Sequence, residues 1–256
     1  MCRLAAYLGQ PIPLAEALYR PSHSLQKQAY APRELVDGYV NVDGTGVAWW
    51  DGTDPQPLRY VTSDAPWQDA NLRALSERIT SKTFLAAVRS ATPGIGMGTL
   101  KVAPFTEGPL AAAHNGSMEN FRGALGQELV ASLSPEAYAT MQTLSDSVVL
   151  FATVVDHYSG DLVQAVTDTF SHVDATIRRH ESWAALNLVV ADEHEIVAVR
   201  HSIDRPQNSL YVAERPTGTW IASEPLDEGP GWATVPEDHL VHVTTENTTI
   251  RPLGPS

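Results

Sequence analysis

Cysteine is nearly absent from this sequence: Cys2 is the single cysteine among 256 residues. One cysteine excludes an internal disulfide, and this is typical of proteins that fold in a reducing compartment. The sequence also has no hydrophobic run long enough to span a bilayer and no targeting segment. These absences predict a cytoplasmic protein without a membrane partner.

Basic residues are scarce as well, since 17 Lys and Arg stand against 30 Asp and Glu and give a net charge of −13. Such a charge argues against nucleic acid as a partner. The nine His are scattered, without a metal-ligating cluster, so we expect neither a metal nor a cofactor. Hydrophobic residues make up 43% of the chain and no composition break divides it. We therefore predict one domain over residues 1–256.

The position of Cys2 gives it unusual chemistry. If Met1 is removed, Cys2 carries both a thiol and a free α-amine, so that nucleophile and general base come from one residue. Their unperturbed pKa values lie near about 8.5 and about 7.7–8.0. The alternative is a small apolar residue at a frayed end. The apolar run 4–8, closed by Gly9 and Pro11, favours a short buried strand that fixes the terminus.

The order of predicted elements indicates an α+β fold. Strands are predicted before residue 115 and again after residue 184, with helices between them. The longest helices are expected over Asp146–Tyr158 and Leu162–His180, and the last residues, 251–256, read as a loose tail. Because short turns join the later strands, we expect mainly antiparallel sheets with helices packed outside.

Three short stretches can carry chemistry. Arg89 ends a predicted buried strand, where a guanidinium can bind a carboxylate with two parallel hydrogen bonds and Thr92 can add a hydroxyl. Asn115–Gly116 is a common hairpin turn, and such a turn can also present two N–H donors as an oxyanion hole. Asp146 lies at a helix start, where it either caps the helix or accepts from a substrate ammonium group.

The order of five motifs resembles the class II glutamine amidotransferases, which are N-terminal-nucleophile hydrolases. The motifs are Met1-Cys2-Arg3, Asn41-x-Asp43-Gly44-x-Gly46, Arg89-x-Ala91-Thr92-x-Gly94, His114-Asn115-Gly116 and Ser145-Asp146-Ser147. The resemblance implies a four-layer αββα sandwich of two mainly antiparallel sheets, forming a glutamine amidotransferase type-2 domain.

Further motifs are similar to one branch of that family, which acts in ergothioneine biosynthesis. They are Met1 to Gly9, His23-Ser24-Leu25, Tyr30-Ala31-Pro32-Arg33, Ala87 to Thr92 and Ser223-Glu224-Pro225-Leu226-Asp227. This branch removes glutamate from γ-glutamyl-hercynylcysteine sulfoxide. Ser90 and Pro93 stand where many glutamine-dependent members have Trp and His, which favours the hydrolase branch.

The resemblance implies a role for each candidate residue. Cys2 would be the nucleophile and its own amine the base, while Asn115–Gly116 would form the oxyanion hole. Arg89, assisted by Thr92, would bind the α-carboxylate of the glutamyl group, and Asp146 would bind its α-ammonium. The implied partner is a small-molecule γ-glutamyl substrate.

Two other functions remain open at this point. One is a glutaminase or ammonia-donating subunit of a synthase, and the other is a non-catalytic module that binds a γ-glutamyl or betaine metabolite. The leaving group of the sulfoxide substrate carries a trimethylammonium group, which favours aromatic faces. The aromatic residues that could line its pocket, or else pack in the core, are Tyr30, Trp49, Trp50 and Trp67.

Overall fold

Two runs of strands enclose a group of helices along the chain, as the sequence predicts. The computed structural model describes residues 2–34, 40–90 and 98–254. The strands in these ranges are β1 (Arg3–Pro13), β2 (Thr45–Trp49), β3 (Leu58–Thr62), β4 (Thr80–Val88), β5 (Phe105–Glu107), β6 (Leu110–Met118), β7 (Ala184–Ala191), β8 (Glu195–Arg200), β9 (Ser202–Ile203), β10 (Tyr211–Arg215), β11 (Gly218–Ala222), β12 (Trp232–Thr234), β13 (His239–Thr244) and β14 (Thr248–Pro252). The helices are α1 (Ala15–Leu18), α2 (Leu25–Tyr30), α3 (Ala70–Ser76), α4 (Ala124–Ala131), α5 (Pro135–Thr140), α6 (Asp146–His157) and α7 (Leu162–Arg179), with a 3₁₀ turn at Thr99–Lys101.

The first strand lies inside a sheet rather than at its edge. Sheet A has the order β12-β10-β11-β1-β4-β2-β3, and sheet B has the order β14-β13-β8-β7-β6-β5, with β9 paired to β7. All the strand pairs that the structure describes are antiparallel. Because β1 has a hydrogen-bonded neighbour on each side, the backbone directly after Cys2 is held in place.

The two sheets pack face to face, and helices cover both outer faces. The inter-sheet core contains Leu4 and Leu85 from sheet A and Val189 and Val241 from sheet B. A second core joins α4, α6 and α7 to sheet B, and a third joins α1, α2 and α3 to sheet A. The layers therefore follow the order αββα, which confirms the predicted fold class.

Alternate residues of β1 enter different cores, because successive side chains of a strand point to opposite faces. Leu4, Ala6 and Leu8 belong to the inter-sheet core, whereas Ala5 and Tyr7 belong to the core beneath α1–α3. A strand covered on both faces can be apolar throughout. This explains why the run 4–8 shows no alternation of polar and apolar residues.

Side-chain caps begin the long helices close to the predicted positions. Ser145 precedes α6 and accepts a hydrogen bond from the Val148 N–H at 3.2 Å. Asp161 precedes α7 and accepts from the Gln164 N–H at 2.9 Å. These bonds satisfy N–H groups that have no partner within the helix. The helices end at His157 and Arg179, each one residue before the predicted end.

The strand β1 does not stop at Gly9, and that prediction is wrong. It continues to Pro13, with a shift in register against β4 between Leu8 and Ile12. This irregularity accommodates Pro11, which cannot donate to a regular ladder. Gly9 lies where a Cβ atom would come within 2.2 Å of the Thr217 carbonyl oxygen, so it serves a close backbone approach and does not end the strand.

The strand β6 likewise passes through Asn115–Gly116, which was predicted to form a tight turn. Asn115 pairs with Asn187 and Gly116 with Leu186 on β7. A Cβ atom on Gly116 would lie 1.9 Å from the Ala185 carbonyl oxygen. The neighbouring strand therefore requires glycine here, and the dipeptide does not mark a hairpin.

The predicted loose tail is only partly correct, because Arg251 and Pro252 belong to β14. This strand pairs with β13 along one edge of sheet B. The exposed polar residues around Arg251 resemble a tail in sequence, but an edge strand can expose most of its side chains. Within residues 2–34, 40–90 and 98–254, no helix has both the length and the apolar character needed to cross a bilayer.

We predict that Leu85→Ala lowers the free energy of unfolding by about 2–5 kcal/mol, because it leaves a cavity in the fully buried inter-sheet core. Leu75→Ala provides the matched control, since Leu75 is 44% exposed on α3, and it should change stability by about 0.5 kcal/mol or less. Urea unfolding followed by circular dichroism measures both. Equal losses in the two variants would contradict the assignment of the core.

Candidate active site

Cys2 and Arg89 lie at the same end of sheet A. Cys2 is a free, half-buried cysteine directly before β1, and Arg89 directly follows β4. The register between these strands pairs Arg3 with Val88. The next positions along the two antiparallel strands are Cys2 and Arg89, so the ladder brings the two residues side by side.

Backbone hydrogen bonds fix Arg89 against the segment that leads into β2. The Arg89 N–H donates to the Gly44 carbonyl at 2.8 Å, and the Asp43 N–H donates to the Arg89 carbonyl at 3.0 Å. The guanidinium is largely buried and donates to the Asp43 carbonyl from Nη1 at 3.4 Å. A buried cation thus stands beside Cys2. Thr92, predicted to assist Arg89, lies outside the described residues.

Asn115 presents a buried side-chain amide on sheet B. The side chain is fully buried, and neither Nδ2 nor Oδ1 has a hydrogen-bond partner among the residues that the structure describes. A buried amide without a hydrogen-bond partner lowers the stability of the fold. It therefore indicates a site at which a bound ligand supplies the missing partner. Gly116, the next residue, lies in the extended backbone of β6. The two N–H donors that were expected at a turn therefore lie on a strand.

Asp146 is the first residue of α6 and is held against the end of β6. Its Oδ2 accepts from the Met118 N–H at 3.2 Å, and its Oδ1 accepts from the Ser147 N–H at 2.8 Å. Asp146 therefore lies at the predicted helix start, where Ser145 is the capping residue, and binding of a substrate ammonium group by its carboxylate stays a prediction. The side chain is nearly buried, which strengthens its interaction with any cation.

His114 connects α6 to the same strand. Burial lowers the pKa of His114, against the opposing effect of the Asp146 charge, so the imidazole is neutral at pH 7. Its Nε2 lies 3.2 Å from the Ala185 carbonyl oxygen and its Nδ1 lies 2.9 Å from Ser147 Oγ. Because a carbonyl only accepts, Nε2 carries the proton and Nδ1 accepts from the Ser147 hydroxyl.

A buried ionic cluster of Arg3, His23 and Glu224 lies next to Cys2. The sequence motifs contain all three residues but do not indicate that they contact one another. Arg3 and Glu224 are both fully buried, and Arg3 Nε lies 2.9 Å from Glu224 Oε1. His23 Nε2 lies 2.7 Å from Glu224 Oε2. Arg3 also donates from Nη1 to the Cys2 carbonyl at 3.3 Å. The cluster therefore holds the backbone of the candidate nucleophile.

Four groups bond to the Glu224 carboxylate, and together they explain why it is ionised. The Arg33 N–H donates to Oε2 at 2.9 Å and the Glu34 N–H donates to Oε1 at 3.1 Å. Burial alone would raise the pKa of Glu224, but the hydrogen bonds from His23 and Arg33 and the charge of Arg3 lower it to about 2. The carboxylate is therefore ionised at neutral pH and ties strand β1 to the segment that follows α2.

The aromatic residues considered for a ligand pocket occupy different layers. Trp50 is buried in the inter-sheet core, and its indole N–H donates to the Pro55 carbonyl at 3.0 Å. Trp49 packs on the opposite face of sheet A, in the core beneath α1–α3, as adjacent residues of a strand must. Tyr30 and Trp67 contact each other edge to face at 5.6 Å, and both are about half exposed.

Asn41 lies in the segment that leads into β2, and its side chain is fully buried. Its N–H donates to the Ala29 carbonyl at 2.6 Å, but in the described parts of the chain its buried amide has no partner. Over the same parts, no group of three or more His, Cys, Asp or Glu side chains could hold a metal ion.

Comparison with known proteins shows the family of this chain. The curated γ-glutamyl-hercynylcysteine sulfoxide hydrolase of Mycobacterium tuberculosis is 33% identical over 254 residues, covering 99% of this chain and 97% of the relative. The protein of the same name from Mycolicibacterium smegmatis is 32% identical and is covered completely. The chain belongs to the family of these hydrolases. No family model matches it.

This chain shares its fold with the class II glutamine amidotransferases. A solved glutamine aminotransferase class-II domain protein from Silicibacter pomeroyi superposes with a TM-score of 0.75, covering 99% of this chain and 100% of that structure at 24% identity. At this identity the similarity establishes the fold. The resemblance inferred from the five motifs is therefore confirmed for both family and fold.

We predict that Glu224→Gln destabilises this family member by about 3 kcal/mol at pH 7, because a pKa lowered from 4.5 to about 2 corresponds to that much free energy. In the unaltered protein this contribution is complete above about pH 4.5 and is lost as the pH falls towards 2. The variant should lack that part of the acid dependence.

Urea unfolding between pH 2 and 7 tests this expectation. Glu228→Gln is the control, since Glu228 lies four residues away and forms an exposed pair with Arg33, which should contribute about 0–1 kcal/mol. If the Glu224→Gln protein showed the same acid dependence as the unaltered one, the cluster would not be what stabilises this region.

Proposed function

We propose that this chain is an amidohydrolase that cleaves the γ-glutamyl amide of γ-glutamyl-hercynylcysteine sulfoxide. The products would be glutamate and hercynylcysteine sulfoxide, an intermediate of ergothioneine biosynthesis. Family membership over nearly the full length of both proteins is the observation that carries this proposal. The position of Cys2 next to Arg89, at the end of a buried central strand, supports it.

In this proposal Cys2 is the nucleophile once Met1 has been removed. Its α-amine takes the thiol proton, and the thiolate attacks the γ-carbonyl carbon of the substrate. The buried cluster of Arg3 and Glu224 holds the Cys2 backbone, which limits the directions from which the sulfur can approach.

Asn115–Gly116 would stabilise the negative oxygen that develops in this step. The Asn115 amide can donate from Nδ2, and the adjacent Gly116 supplies a backbone N–H. Two fixed donors in a site shielded from water stabilise a tetrahedral intermediate far more than they stabilise the ground-state carbonyl. The lack of any other partner for the Asn115 amide among the described residues supports this role.

Two buried charges would recognise the glutamyl group. Arg89 can bind the α-carboxylate, with Thr92 as a second donor, and Asp146 can bind the α-ammonium. Their opposite signs match the zwitterionic end of the substrate, and their burial makes each interaction stronger than it would be in water. The same pair would leave the γ-carbonyl as the group free to reach Cys2.

The chemistry then runs in two steps. The tetrahedral intermediate collapses when the C–N bond breaks, and the departing amine takes the proton from the α-ammonium of Cys2. This leaves a γ-glutamyl thioester on the sulfur. Water, deprotonated by the same α-amine, attacks the thioester and releases glutamate with the thiol restored. Neither step requires a metal or a cofactor.

The trimethylammonium of the leaving group would contact Tyr30 and Trp67. Both residues lie close in sequence to backbone groups that bond to the segment leading into β2, since the Ala29 carbonyl accepts from the Asn41 N–H and the Asp64 carbonyl accepts from Thr45 Oγ1. The Lys27 ammonium already lies 4.9 Å from the centre of the Tyr30 ring. Rings that meet edge to face can attract a quaternary ammonium ion.

The two alternative functions can be distinguished by the reaction that each would show. A glutaminase or ammonia-donating subunit would prefer glutamine, whereas a binding module would retain a γ-glutamyl or betaine metabolite without releasing glutamate. The single domain over residues 1–256 and the cytoplasmic location remain predictions.

The first test compares glutamate release from the sulfoxide conjugate and from glutamine. We expect kcat/KM for the conjugate to exceed that for glutamine by at least about tenfold, because the leaving group adds contacts. Cys2→Ala should lose at least about 10³-fold in kcat while its thermal unfolding is unchanged. Preference for glutamine would support ammonia supply, and Cys2→Ala with full activity would refute the mechanism.

A second test addresses the leaving group. Trp67→Ala should raise KM for the conjugate about 3- to 30-fold, as expected for the loss of a cation–π contact of about 0.5–2 kcal/mol, and should leave glutamine turnover unchanged. Ile250→Ala, which truncates a 43% exposed side chain on β14, serves as the control. An equal effect of Trp67→Ala on both substrates would exclude this ring from leaving-group binding.

A further inference from the structure

Asn208 and Ser209 form a buried polar link between the two sheets. They lie between β9 and β10, and both side chains are almost completely buried. Their side chains bond in different directions, Asn208 towards sheet B and Ser209 towards sheet A. The inter-sheet core around them consists of apolar side chains, which fix distances less strictly than hydrogen bonds do.

On the side of sheet B, Asn208 bonds to the strand that carries the proposed oxyanion hole. Its Nδ2 donates to the Asn115 carbonyl at 2.9 Å. Asn187, the β7 residue opposite Asn115, donates from its own Nδ2 to the Asn208 carbonyl at 3.1 Å and to the Ser209 carbonyl at 3.0 Å. The link is therefore attached to both β6 and β7.

On the side of sheet A, Ser209 bonds to Ser223, which directly follows β11 and in turn bonds to β1, the strand that follows Cys2. The Ser209 Oγ donates to the Ser223 carbonyl at 2.7 Å. Ser223 Oγ accepts from the Leu4 N–H at 3.1 Å, and the Ser223 N–H donates to the Leu4 carbonyl at 3.0 Å. Leu4 is two residues from Cys2, so a continuous path of hydrogen bonds runs from the Asn115 carbonyl to the start of β1.

The path of hydrogen bonds is relevant to catalysis because it ends at the peptide group that joins Asn115 to Gly116. The Asn115 carbonyl and the Gly116 N–H belong to one planar trans peptide group, so they point in opposite directions. A donor that holds the carbonyl oxygen also fixes the direction of the N–H. It further polarises the group, because hydrogen bonds on the two ends of a peptide strengthen each other.

We propose that Asn208, anchored by Ser209, is a positioning residue that aims the Gly116 N–H at the oxyanion formed on attack by Cys2. This inference rests on the proposed function, and it explains how two halves of one site on separate sheets keep a fixed distance. An oxyanion hole tolerates little error, because its donors must lie about 2.7–3.1 Å from the developing charge.

The test uses Asn208→Ala with the sulfoxide conjugate as substrate. We expect kcat to fall about 10- to 100-fold, the loss typical of a displaced catalytic group, with KM changed by less than about twofold. The rate at which iodoacetamide alkylates Cys2 should stay unchanged, because that reaction forms no oxyanion. A parallel loss of alkylation, or an unchanged kcat, would overturn the proposal.

The anchoring role of Ser209 gives a second, independent test. Ser209→Ala should lower kcat in the unaltered background but have no further effect in the Asn208→Ala background, where the link is already broken. Losses that multiply in the double variant would overturn the proposal. The matched control is Ser81→Ala, since Ser81 is equally buried and donates to the Trp50 and Thr83 carbonyls near the far end of β4.

Ser81→Ala should keep kcat within about twofold, and a loss equal to that of Ser209→Ala would show a general effect of removing a buried hydroxyl. The Cys2→Ala variant distinguishes a failure of the cysteine mechanism from a failure of the positioning role of Asn208. If Cys2→Ala releases glutamate from the conjugate as fast as the unaltered protein, the cysteine mechanism of the proposed function fails. If Cys2→Ala is inactive while Asn208→Ala retains full kcat, the positioning role alone fails.

Discussion

The constraint on which this molecule depends is the burial of strand β1 on both faces. Sheet B covers one face of this strand, and helices α1–α3 cover the other. Strand β1 contributes side chains to the inter-sheet core and to the core beneath α1–α3 at the same time. Small side chains on its two faces let both layers approach, and a hydrogen-bonded neighbour on each edge prevents fraying. The residue that precedes such a strand is held in position, which is what a nucleophile at a chain end requires.

The candidate site draws its residues from both sheets. Sheet A supplies Cys2 and Arg89, while sheet B and α6 supply Asn115, Gly116 and Asp146. Apolar packing brings the sheets together but carries no directional information, whereas the polar groups between them do. Glu224 is ionised and fixes the backbone beside Cys2 on one side. The link of Asn208 and Ser209 spans the other side.

Much of the fold could be predicted from local patterns. The helical period placed α6 and α7 within one residue of their observed bounds, because their caps and apolar faces are encoded in adjacent residues. Asn115–Gly116 was misread as a turn, because the reason for glycine there is the Ala185 carbonyl on another strand. The continuation of β1 past Pro11 was missed for a similar reason, since the accommodating irregularity depends on β4.

The sequence by itself determined the family and the secondary-structure order, and it indicated six candidate site residues, since their chemistry lies in residue type and motif order. Tertiary structure decided which of them meet. Long-range pairing of β1 with β4 brings Cys2 beside Arg89 within sheet A, whereas Asn115 and Gly116 lie on β6 of sheet B, which pairs with β7. Tertiary structure also supplied the roles of Glu224, Asn208 and Ser209. Glu224 bonds to a residue 191 positions away and Asn208 to one 93 positions away, while Ser209 bonds to one 14 positions away. No local sequence pattern predicts such hydrogen bonds.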